Sequence, residues 1–153
     1  MMEIKIKKLN EKAVVPTYAH PGTDMGLDIT CIDYEYDSIR DRYIYHTGLS
    51  FEIPEGYGML IFPRSSNTKT EAYLPNSVGI LDSGYRGELM FIYKLRSTRA
   101  QLFNYDENEY APYKVGDRIG QIIIIPYPQI EFKEVEELSN SERGNGGFGS
   151  TGK

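Results

Sequence analysis

A chain of 153 residues, 40% of them apolar and 25% charged, can build one core and is not disordered throughout. Its longest aliphatic run, Ile122 to Ile125, is far below the ~20 residues of a membrane-spanning helix. Seventeen basic against 22 acidic residues leave a net charge of −5, which excludes a nonspecific grip on nucleic acid, since that requires a clustered cationic surface.

The N-terminal MMEIKIKKLNEK alternates Ile with Lys and carries no apolar signal block, so a cytoplasmic location is expected. Predicted strands follow in order: Ile4–Leu9, Leu27–Ile32, Tyr43–Tyr45, Leu49–Ile53, Gly58–Pro63, Val78–Leu81, Glu88–Leu95, Ile119–Ile125 and Ile130–Val135. Turn signals such as Pro21-Gly22, Pro54-Glu55-Gly56, Asp82-Ser83-Gly84 and Val115-Gly116-Asp117 separate them. Short strands without sustained helical periodicity predict an all-β sandwich or barrel. Residues 97–113 are polar and aromatic and read as an extended excursion between two strands. From Arg143 on there are five glycines in eleven residues, so a β domain over 1–142 and a flexible arm over 143–153 are expected.

The single Cys31 excludes an internal disulfide, and with only His20 and His46 there is no Cys/His zinc set. A metal would have to be held by oxygens, and an anionic ligand by local donors. Five segments bear on such chemistry. Pro63-Arg64-Ser65-Ser66-Asn67 brings a guanidinium fork and two hydroxyls off the end of a strand, a donor set suited to phosphate; the alternative is a surface turn. Asn76 to Glu88 reads as strand, tight turn, strand, whose backbone could meet the edge of a base with Gly79 allowing close approach. Its alternative is an ordinary Asp-Ser-Gly turn with Tyr85 as a packing residue. Gly116-Asp117-Arg118-Ile119-Gly120-Gln121 reads as a turn leading into core isoleucines, and Gly22 to Asp28 as a loop entering a strand. In the tail, Gly147-x4-Gly152-Lys153 fits only part of a P-loop, because no Ser or Thr and no helix follows. The donors Arg143, Ser150 and Thr151 with Phe148 form instead a strip able to fold over a polyphosphate, or a disordered end.

Taken in chain order, the segments resemble the five motifs of the homotrimeric dUTP pyrophosphatase (dUTPase) family, over Gly22 to Gly152. Gly26-Leu27-Asp28-Ile29 is similar to the first motif, Pro63-Arg64-Ser65-Ser66 to the second and Gly79 to Gly87 to the third. Gly116 to Gln121 resembles the fourth, and Arg143 with Gly146 to Gly152 the fifth. The resemblance implies a distorted jelly roll (β-clip) assembled as a homotrimer with shared active sites, and hydrolysis of dUTP to dUMP and pyrophosphate with Mg²⁺ bound through the substrate's phosphates. It implies that Asp82 deprotonates the attacking water, Tyr85 packs on the deoxyribose, and Asn76 with the backbone around Gly79 reads the uracil. Arg64, Ser65, Ser66 and Gln121 would hold the phosphates, and Arg143, Ser150 and Thr151 would close on the γ-phosphate while Phe148 covers the base. Asp28 would support the site.

Two other functions share these features. A dCTP deaminase of the same fold would carry a catalytic glutamate on the strand after the third motif, where this chain has Ile92. A dUTPase-like regulatory binding protein would use the 97–113 excursion as its contact surface. Ser66 stands where many dUTPases have glycine, and the span from Arg96 to Lys114 is longer than in compact members.

Overall fold

The computed structural model describes residues 2–96 and 106–147. Ten strands follow in chain order: β1 Lys5–Lys8, β2 Leu27–Thr30, β3 Asp33–Asp37, β4 Arg42–His46, β5 Leu49–Glu52, β6 Tyr57–Phe62, β7 Ala72–Tyr73, β8 Gly79–Leu81, β9 Met90–Leu95 and β10 Arg118–Pro126. They form two four-stranded sheets, ordered β2-β10-β6-β8 and β3-β4-β9-β7, and a two-stranded ladder β1-β5. Every pairing is antiparallel. The all-β expectation is met.

The strands form where period-two alternation puts apolar side chains on one face. Met59 and Ile61 of β6, Ile119 and Ile122 of β10 and Ile29 of β2 are buried from the first sheet, and Tyr43, Tyr45, Phe91 and Tyr93 from the second. The two sheets meet at Gly120, where a Cβ would collide with the Phe91 ring, so only glycine permits this approach. The tyrosines enter the core because their hydroxyls find partners. Tyr93 donates to the Ile119 carbonyl across the sheets at 2.6 Å, and Tyr45 both donates to the Tyr113 carbonyl and accepts from the Tyr113 amide. Burial pushes the Tyr45 and Tyr93 phenols far above their ordinary range, so they remain neutral donors. Burial likewise pushes the Cys31 thiol up to about 11, which leaves it protonated and unreactive.

Four expectations are corrected. Ile130–Val135 is not a strand: Ile130 is 70% and Phe132 90% exposed, because the alternation has no neighbouring strand to pair with among the described residues. β3 and β7 form where no strand was predicted. β3, Asp-Tyr-Glu-Tyr-Asp, is too acidic to resemble a core strand but pairs along β4 with its tyrosines half-buried. The third-motif segment is not a paired hairpin, since β8 pairs with β6 whereas β9 joins the other sheet. The excursion is not extended to its end: Glu107–Tyr110 make one helical turn, capped by the Asp106 carboxylate, after which Ala111 and Tyr113 return to the core. Its residues 97–105 lie outside the described ones. No helix among the described residues is long and apolar enough to cross a membrane.

Candidate active site

Three motifs converge at one end of the β2-β10-β6 sheet. In the ladder register Gln121 of β10 stands opposite Asp28 of β2 on one side and Phe62 of β6 on the other, so the chain leaving β6 at Pro63-Arg64 emerges beside both. The Gln121 amide donates to the Pro63 carbonyl at 3.1 Å and holds that exit. The first-motif loop comes so close that a Cβ on Gly26 would lie 2.6 Å from the Gln121 amide oxygen, so a larger residue there would have to displace the end of that side chain.

Asp28 then organises two cations. Its Oδ1 accepts from Arg64 Nε at 2.8 Å and its Oδ2 from an Nη of Arg118 at 3.0 Å. Arg64 also donates to Ser66 Oγ at 3.3 Å. One half-buried carboxylate therefore aligns two guanidinium groups, leaving the cluster one positive charge in excess. Asp28, Arg64 and Arg118 line a cleft of about 620 Å³ whose walls include Ser65, Gln121, Val14 to Thr17 and Ala19. Guanidinium forks, hydroxyls and an amide are donors suited to a phosphate chain. Arg118 was not singled out from sequence; its signal was its place between Asp117 and Gln121, one strand away from Asp28.

The third motif forms a second cluster on edge strand β8. A Cβ on Gly79 would lie 3.2 Å from the Asn76 side-chain nitrogen and 3.1 Å from Ile61 Cβ, so Asn76 covers the glycine and the backbone approaches β6 closely. Asp82 is exposed just after β8, and its carbonyl accepts the Tyr85 amide at 3.1 Å. Arg86 ties down the same turn by donating to the Ser83 and Tyr85 carbonyls. The Tyr85 hydroxyl donates to the Glu88 carbonyl at 3.1 Å.

The two clusters do not meet within one chain. Leu81 is paired with Met59, whereas Arg64 lies five residues further along, a distance on the order of 15 Å at the rise of an extended strand. Arg143 joins neither cluster; its Nε donates to the Gly146 carbonyl within its own turn. Phe148, Ser150 and Thr151 lie outside the described residues. Ile92, where a deaminase would need its glutamate, pairs with Ile44 in β9 and presents no ionisable group. Glu88, also missed from sequence, accepts the Thr47 and Gly48 amides at 3.1 and 2.8 Å and meets His46 Nδ1 at 3.1 Å.

A family model described as dUTPase matches residues 11–152. The deoxyuridine 5'-triphosphate nucleotidohydrolase of Hydrogenobaculum sp. (strain Y04AAS1) is 41% identical, with 99% of each chain covered. That of Nautilia profundicola is 42% identical over 99% of this chain and 100% of its own. Among solved structures, the dUTPase of Staphylococcus bacteriophage 80alpha with dUpNHpp is 31% identical, covers 100% of both chains and superposes with a TM-score of 0.77. With a family model matched over residues 11–152 and relatives above 40% identical along 99% of its length, the chain belongs to the dUTPase family.

Proposed function

We propose that this chain hydrolyses dUTP to dUMP and pyrophosphate by attack of water on the α-phosphate. The observation that carries the reading is the pair of arginines held by Asp28 beside Ser65, Ser66 and Gln121, a donor array for a triphosphate in a dUTPase-family chain. Asp82 takes a proton from the water as its oxygen bonds to the α-phosphorus, and the bridging oxygen departs with pyrophosphate. Tyr85 lies along the deoxyribose, and Asn76 with the backbone at Gly79 meets the uracil edge. Arg143, Ser150, Thr151 and Phe148 belong to a closing arm that begins at residue 143.

Because Asp82 and Arg64 stand at opposite ends of β6, a complete site draws them from different chains. A homotrimer with shared sites follows as the assembly. The exposed Ile130, Phe132 and Leu138 support it, since apolar side chains with no cover among the described residues are suited to a neighbouring copy.

The cleft's arginines, hydroxyls and amide favour anions rather than a cation, so Mg²⁺ fits as a passenger on the triphosphate, ligated by phosphate oxygens and water. When bound it neutralises phosphate charge. Arg64 and Arg118 meet the oxygens that remain.

The test is incubation with dUTP, dCTP, dTTP and UTP in Mg²⁺, followed by separation of nucleotides and pyrophosphate. Release of dUMP and pyrophosphate from dUTP alone is expected. Ammonia from dCTP, or binding without hydrolysis, would overturn the reading.

A further inference from the structure

Tyr85 is 42% exposed, yet the hydroxyl end of its ring meets two neighbouring backbone positions. The ring lies on Gly87, where a Cβ would fall 2.5 Å from Cζ and 3.0 Å from Cε2. Its hydroxyl donates to the Glu88 carbonyl at 3.1 Å. That carbonyl belongs to a residue fastened to the body of the fold. Glu88 Oε1 accepts the Thr47 and Gly48 amides, its Oε2 meets His46, and the next residue is tied to the β4–β5 turn in both directions, Leu89 amide to Leu49 carbonyl at 2.8 Å and Thr47 hydroxyl to Leu89 carbonyl at 2.6 Å. Thr47 is fully buried, and Gly48 takes a φ of +64°, so this turn is itself well determined.

Within the reading of Tyr85 as the sugar-facing ring, we propose that Gly87 and Glu88 are positioning residues that fix the ring and thereby set discrimination between deoxyribose and ribose. Steric rejection of one hydroxyl needs a wall that does not yield. An exposed tyrosine free to change rotamer would swing aside for a ribonucleotide. Here glycine leaves room for the hydroxyl end of the ring, and the Glu88 carboxylate immobilises the carbonyl that accepts that hydroxyl. Neither residue touches the reacting atoms.

The measurement is kcat and KM for dUTP and for UTP in the full chain and three variants, with thermal melting of each. Gly87→Ala adds one methyl that only the end of a flexible ring must avoid, so the fold should persist while the ring is displaced. Discrimination, the ratio of kcat/KM for dUTP to that for UTP, should fall at least 10-fold, mainly through a lower KM for UTP. Glu88→Ala should act the same way. Glu88→Gln keeps an acceptor for both amides and should restore most of the ratio. Wild-type discrimination in a folded Gly87→Ala would overturn the proposal, as would equal loss in Glu88→Gln and Glu88→Ala. Should Glu88→Ala fail to fold, Gly87→Ala decides alone. If the unaltered chain does not hydrolyse dUTP, the proposed function itself fails. If it does so with strong preference over UTP and Gly87→Ala keeps that preference, only the positioning role fails.

Discussion

Asp28 and Arg64, 36 residues apart in sequence, are joined by an Nε–H···Oδ1 bond of 2.8 Å, and the second carboxylate oxygen is taken by Arg118. The carboxylate acts as an aligning group for two cations rather than as a base, because both its oxygens are already engaged. Asp28→Asn removes the charge while preserving shape. Losing charge-assisted bonds worth about 1.5 to 3 kcal/mol in total should raise KM for dUTP roughly 10- to 100-fold, with a smaller effect on kcat. Steady-state kinetics checks this, and an unchanged KM would remove Asp28 from substrate binding.

Asp82→Asn should lower turnover roughly 10²- to 10⁴-fold and leave nucleotide affinity largely intact, since it removes a proton acceptor without altering the cleft. Because Asp82 and the phosphate cluster lie at opposite ends of β6, inactive Asp82→Asn chains mixed with chains truncated after Glu142 should recover activity after subunit exchange. Kinetics of the mixture with light scattering is the measurement. No recovery despite confirmed exchange, or an active monomer, would contradict shared sites.

Truncation after Glu142 should leave thermal melting unchanged, since among the described residues the Arg143 side chain bonds within its own turn and no residue from 143 on joins the core. Turnover should nevertheless fall sharply if the arm completes the charge stabilisation. Phe148→Ala should weaken the closed state by about 1 to 3 kcal/mol, the worth of one base–aromatic stack. Wild-type kinetics from the truncated chain would show that the arm has no part in the reaction.

Tyr93→Phe tests the core. It deletes the hydroxyl that meets the Ile119 carbonyl at 2.6 Å and leaves that buried acceptor without this donor. A loss of about 1 to 3 kcal/mol is expected, read as a lower denaturant midpoint with an unchanged slope. No shift would mean that the carbonyl finds another donor.

Alternation of apolar and polar residues, broken by glycine and proline turns, determined the all-β class and most strands, because side-chain direction in a strand is a local property of the backbone. The motif order determined the family for a similar reason: Arg64, Asp82, Tyr85 and Gln121 are recognisable by their immediate neighbours. Partnership is not local, and there the tertiary structure decided. Ile130–Val135 has the alternation of a strand but no strand beside it among the described residues, whereas acidic β3 lacks the pattern and pairs fully with β4. Arg118 met Asp28 only when β10 lay against β2 and brought together two residues 90 apart in sequence. Glu88 gained its partners only when the β4–β5 turn presented two amides to it. A carboxylate's function depends on which donors reach it, and across such separations only the packing of the sheets selects them.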